Sequence, residues 1–177
     1  MPTDLPRAAR FANALTLFGA VPFVGLTLLI PFGAPLAEAL GLFPLALQIG
    51  WWASVMLVLY AAVILSFLGG IRFGVAVAEP LRPGARGDVA WSVIPSLAGW
   101  VLAITGMLGQ FSGFTVITAA ALALFVACFL LQWVWDRRSV RSERVPLWFG
   151  RLRSRITLVV APTLAAASLL LALGGSP

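Results

Sequence analysis

The sequence predicts an all-α polytopic membrane protein, a five-transmembrane-helix bundle with its N-terminus inside and its C-terminus outside. Three observations carry that reading. Of the 177 residues, 61% are apolar and 10% are charged, and the mean hydropathy is +1.02, far above that of a soluble domain. Five apolar stretches each supply the roughly 20 residues that cross ~30 Å of hydrocarbon. Finally, all twelve cationic residues are Arg, and they fall in alternate connections. The N-terminus holds Arg7 and Arg10, and the second connection holds Arg72, Arg82 and Arg86. The fourth holds Arg137, Arg138, Arg141, Arg144, Arg151, Arg153 and Arg155. Cytoplasmic segments retain Lys and Arg during insertion, which places these three segments inside.

Taken in order, span one covers roughly residues 9–30 and follows Thr3-Asp4, with Pro6 in its first turn, where a missing N–H costs nothing. Pro22 lies within it and predicts a kink, which membrane helices tolerate when neighbours satisfy the freed carbonyl. Arg7 and Arg10 ahead of an apolar run also suit a signal peptide. The run from Phe11 to Ile30 exceeds the usual ~7–15 residues, however, so it reads as a span. Pro31 to about Leu45 reads as an outer connection with a short interfacial helix containing Glu38.

Span two, roughly 48–73, opens with Trp51 and Trp52 as an aromatic anchor. The breaker-rich stretch Glu79–Gly87 ends it, and Asp88 is the expected N-cap of span three, roughly 89–108. Gly109–Gly113 is a short turn into span four, roughly 114–135, with Trp133 and Trp135 at the inner interface. Pro146 suits the first turn of the last helix, whose span is roughly 150–171. The whole chain, 1–177, reads as one integral membrane domain without an internal repeat.

Small residues form stripes along these spans. Ala62, Ser66, Gly70 and Gly74 recur every fourth residue, with Gly69 alongside. Ser92, Ser96, Gly99, Ala103 and Gly106 follow on span three, Thr115, Ala119, Ala123 and Ala127 on span four, and Thr157, Ala161, Ala165, Ser168 and Ala172 on span five. Such stripes let membrane helices approach closely, so the bundle is expected to be compact.

Composition removes several chemistries. Without His there is no imidazole ligand or proton shuttle, and without Lys no Schiff base or Walker lysine. Cys128 has no intrachain disulfide partner. The formal charge of +6 reflects the cytoplasmic bias of a membrane protein, and no nucleic-acid partner is expected. No ionisable residue lies at mid-membrane depth in these spans, which argues against ion-coupled transport. The protein therefore reads as non-enzymatic, with no cofactor and no metal.

Three clusters carry a family resemblance. They are Leu17 to Phe23, then Tyr60 and Ile64 to Gly74 followed by Glu79-Pro80, then Trp91 to Leu97 with Asp136, Pro146 to Phe149, Leu152-Arg153 and Thr157 further on. In this order they resemble domain-of-unknown-function family 3429, which includes mitochondrial transmembrane protein 69. Phe73 and Phe149 depart from the Trp and Tyr usual in that family. The resemblance implies a bacterial or mitochondrial inner membrane, but no activity, cofactor or catalytic residue. The short, Ser-poor N-terminus favours the bacterial cytoplasmic (inner) membrane.

The residues themselves suggest one polar site. Gly69 and Gly70 precede Arg72, whose guanidinium suits a carboxylate or phosphate. Ser66, Glu79, Ser92, Ser96 and Asp136 cluster at the same inner end, and together these eight form the expected ligand-binding set. The alternative is that Arg72 snorkels to the interface and pairs with Asp136 or Glu79, while the glycines only permit close packing. Arg137, Arg138, Arg141, Arg151, Arg153 and Arg155 are expected at anionic lipid headgroups, each adding roughly 1 kcal/mol near the surface. Two functions follow. The leading one is an accessory or assembly component of a larger membrane complex, with other membrane proteins as partners. The other is a carrier or binding protein for a lipid or amphipathic anion at Arg72.

Overall fold

The computed structural model describes residues 7–79, 81 and 83–174. Its helices are α1 (Arg7–Phe18), α2 (Val21–Ala39), α3 (Phe43–Ala78), α4 (Ala85–Phe111), α5 (Thr115–Arg141) and α6 (Leu147–Gly174). No strand occurs among the described residues. Five segments are long and apolar enough to cross a membrane: Phe11–Ala39, Gln48–Ala78, Ala85–Phe111, Thr115–Arg141 and Leu147–Gly174. Each runs past the span expected from hydrocarbon thickness. A helix keeps its own backbone bonds, so it continues through the headgroup layers, and 27 residues at 1.5 Å reach about 40 Å.

The first span departs most from expectation. Pro22 offers no N–H to the Phe18 carbonyl, and the helix breaks at Gly19–Ala20 into α1 and α2 instead of kinking. The Tyr60 hydroxyl donates to the Gly19 carbonyl at 2.8 Å and satisfies the opened backbone. Beyond the break, α2 continues through Pro31 and Pro35 to Ala39, where a connection with a separate interfacial helix was expected. Two missing donors do not stop a helix whose remaining bonds have no water to compete with them. It ends at Gly41, with φ at 71°; Leu42 N–H bonds the Ala37 carbonyl and Gly41 N–H that of Glu38, a Schellman stop.

Asp88 is not the N-cap of α4. Gly84, with φ at 86°, reverses the chain early, so the helix starts at Ala85 and Asp88 lies in its first turn. Likewise α6 begins directly after Pro146, whose carbonyl accepts from Phe149 N–H.

The core is built around α3. Leu57, Val58, Ala61 and Leu65 meet Phe23 of α2, Leu122, Phe125 and Phe129 of α5, and Val160 and Leu164 of α6. Successive helices pack on one another from α2 to α6, and α2 also meets α6, which closes the ring. The small-residue stripe of α4 forms a tight seam with α3, whereas Gly70 and Gly74 of α3, Ala123 and Ala127 of α5 and Ala172 of α6 are exposed and form none. A Cβ on Gly69 would lie 2.5 Å from the Ser92 carbonyl oxygen, and one on Gly99 3.1 Å from that of Ala62. Gly109 packs equally tightly against Thr118, whose hydroxyl donates to the Gly106 carbonyl at 2.8 Å.

Candidate functional site

The arginine-rich ends of α3, α4, α5 and α6 meet in a polar cluster. Arg72 sits six residues before the end of α3, about 9 Å along the axis. Its guanidinium donates to Gln132 Oε1 at 2.5 Å and lies over the Trp135 ring at 3.7 Å. Gln132 and Trp135 are three residues apart on α5, which puts both on one face. Arg can only donate, so the Gln132 oxygen must face it and the amide nitrogen must point elsewhere. That nitrogen is buried and has no partner. An unmet buried donor costs about 1–3 kcal/mol.

One turn on, Asp136 accepts from Arg153 Nε of α6 at 2.7 Å. Asp88 of α4 accepts from Arg144 at 3.2 Å, an ion pair that joins the α5–α6 connection to α4. Both carboxylates act electrostatically on Arg72. Set against each other, Arg72, Arg144 and Arg153 outnumber Asp88 and Asp136 by one positive charge. The hydrogen bond and ring contact of Arg72 are both with uncharged groups.

Beside this cluster a cleft of about 320 Å³ runs between α4 and α5. The two helices are pinned together near their turn by Gly109 and Thr118. Toward the arginine-rich end they leave a gap between Ile94 and Pro95 on one side and Cys128 and Leu131 on the other. Leu65 of α3 forms its apolar floor, and Arg72, Gln132 and Arg138 line its polar end, where the Trp91 and Trp135 rings stand 6.0 Å apart.

The model of a protein family of unknown function, DUF3429, matches residues 8–170. The chain belongs to the DUF3429 family. The match runs from α1 into the last turns of α6 and takes in the whole polar cluster. No curated protein and no solved structure is significantly similar to it.

In this DUF3429 protein the eight residues expected at the site separate into three groups. Arg72 and Asp136 join the polar cluster, although Asp136 pairs with Arg153 instead of Arg72. Ser66, Gly69, Ser92 and Ser96 lie in the α3–α4 seam, where the Ser66 hydroxyl abuts Gly99 and the Ser96 hydroxyl abuts Gly69. Ser92 donates to its own helix at the Val89 carbonyl. Gly70 is exposed with no atom near its missing Cβ, and Glu79 caps the exposed end of α3. Of the arginines expected at headgroups, Arg137, Arg138, Arg141, Arg151 and Arg155 are exposed. Arg153 is not a rim residue. It is 6% exposed, because the helical turn carries it to the opposite face from Arg151 and Arg155.

Four contributors are absent from the site expected from sequence: Gln132, Trp135, Arg144 and Asp88 in its ion-pairing role. The spacing Gln132, Trp135, Asp136 was the available signal, since it puts an amide, a ring and a carboxylate on one face at a helix end. Among the described residues no group of three or more His, Cys, Asp or Glu comes together to suit a metal.

Proposed function

We propose that this membrane protein binds an amphipathic anion, a lipid or fatty-acid-like molecule, with its headgroup at Arg72 and its chain in the α4–α5 cleft. The buried, unmet Gln132 N–H donor beside an Arg whose hydrogen bond and ring contact are both with uncharged groups carries the reading. A phosphate or carboxylate oxygen there would accept from Gln132 Nε2 and balance the excess cation. The apolar length of the cleft suits one acyl chain, and its volume of about 320 Å³ is near the lower end of small-molecule sites (~300–1,000 Å³). With the arginines inside, the ligand would come from the inner leaflet of a bacterial cytoplasmic membrane. Anionic lipids at the exposed rim arginines would concentrate it there. No step in this role needs catalysis or a cofactor.

The test is lipid retention. Purified Arg72→Lys keeps the charge but loses the planar stack and fork, and Gln132→Leu removes the unmet donor at similar volume. Both are expected to lose most of the co-purifying anionic lipid seen by native mass spectrometry while melting like wild type. Unchanged retention in both would refute the site.

A second reading, an accessory subunit of a larger complex, is favoured by one observation. Gly70 and Gly74 lie one turn apart on an exposed face of α3, and nothing in the fold fills the space above them. Such a G-x-x-x-G pair is a known docking surface for membrane helices. Native electrophoresis at natural expression level decides it. Co-migration with a larger complex, abolished by Gly70→Leu, supports the subunit role, and a lone small particle removes it.

A further inference from the structure

We infer that the end of the bundle opposite the arginines carries a second binding site, for an uncharged amphiphile that presents a hydroxyl or N–H donor. A cavity of about 610 Å³ opens there, bordered by Pro31 and Ala34 of α2, Gly50 of α3, Gln110 of α4, Thr115 of α5 and Leu171 of α6. It is nearly twice the volume of the α4–α5 cleft and shares no lining residue with it. The inference therefore stands apart from the anion-binding reading.

Gln110 decides the chemistry. The residue is 6% exposed, and its Oε1 is buried without a partner. Its backbone carbonyl is already engaged by Trp51 Nε1 at 3.2 Å, which fixes the end of α4 against α3. Gln110 borders the cavity with this acceptor unmet beside it, and a ligand donor that reached it through a small turn of the side chain would satisfy it. A second acceptor belongs to Pro31, which also borders the cavity: Pro35 offers no N–H to its carbonyl. Among the described residues no charged one lines the cavity, and an ion sealed there would lack a counter-charge from them. Apolar walls with two acceptors select a neutral head on a hydrocarbon body, as in a monoacylglycerol or a long-chain alcohol.

Photolabelling of the full chain in nanodiscs tests this, with a monoacylglycerol carrying a diazirine in its acyl chain. The matching diazirine fatty acid is the charged control. The neutral probe is expected to label peptides around Ile30–Ala34 and Leu170–Leu173, and unlabelled monoacylglycerol to compete. Gln110→Leu should reduce that labelling about tenfold, the equivalent of roughly one hydrogen bond, and should not lower the melting temperature. Ala34→Phe fills the cavity with Gln110 intact, should give the same loss, and decides the matter if Gln110→Leu does not fold. Labelling unchanged in the folded variants overturns the inference. So does equal labelling of these peptides by the fatty acid, or label spread evenly over the lipid-facing helices.

Discussion

Replacing Asp136 by Asn should destabilise the bundle far more than its small chemical change suggests. Arg153 has a side chain 7% exposed, and its Nη2 already lacks a partner. In the variant its charged partner among the described residues becomes a neutral amide, and an Arg cannot shed its proton. Breaking a buried pair in this way costs about 3–5 kcal/mol. Asp136 itself is 20% exposed and keeps contact with water when its partner is removed, so the reverse change, Arg153→Met, should cost less, about 1–2 kcal/mol. Removing both, as Asp136→Leu with Arg153→Met, should recover most of the loss, since well-packed apolar groups often replace a buried pair at no cost. Unfolding in mixed micelles by titration with denaturing detergent measures all four proteins. If Asp136→Asn matches wild type, or Arg153→Met is the more damaging single change, the pair is hydrated and the argument fails.

The α3–α4 seam gives a neighbouring pair with opposite outcomes. Gly69→Ala drives a Cβ to 2.5 Å from the Ser92 carbonyl oxygen and should cost about 1–3 kcal/mol. Gly70→Ala meets nothing within 4 Å and should stay within about 0.5 kcal/mol of wild type; similar losses from both would remove the seam. Tyr60→Phe deletes the bond to Gly19, and thermal denaturation in detergent should reveal a loss of about 0.6–1.7 kcal/mol. For topology, cysteines placed at Glu38 and Ser142 in a Cys128→Ser background should react with impermeant maleimide from opposite sides of the membrane. Labelling from one side would break the five-span reading.

Much of the fold was legible because membrane physics leaves few options. Apolar runs of span length, together with arginines in alternate segments, dictate five helices, and the small-residue periodicity of α4 marks the face that packs, while that of α5 runs onto an exposed face at Ala123 and Ala127. What failed was the use of rules taken from water. Pro31 and Pro35 read as the end of a helix, yet they lie inside α2, where no solvent competes for the remaining backbone bonds. The site was half legible. Arg72 and Asp136 stand out as charges at helix ends, but Gln132 is one of several uncharged polar residues in the apolar runs, and nothing in the sequence pairs it with Arg72. Arg153 was readable and was missed. At 100° per residue it stands about 200° from Arg151, while Arg155 returns to within about 40°. Grouping the three by proximity in sequence discarded that angle.

The break at Gly19–Ala20 has a consequence for how the protein meets bilayers of different thickness. Phe11–Ala39 would measure about 43 Å as a straight rod, well beyond ~30 Å of hydrocarbon. A jointed segment takes up that excess by changing the angle of α1, which presents Phe11, Leu15 and Phe18 outward and is held at its joint by Tyr60. Tilting α1 about that joint would fit this one segment to a thinner bilayer, whereas the unbroken helices of 27 to 31 residues beside it can adapt only by tilting whole or by reaching into the headgroup layers.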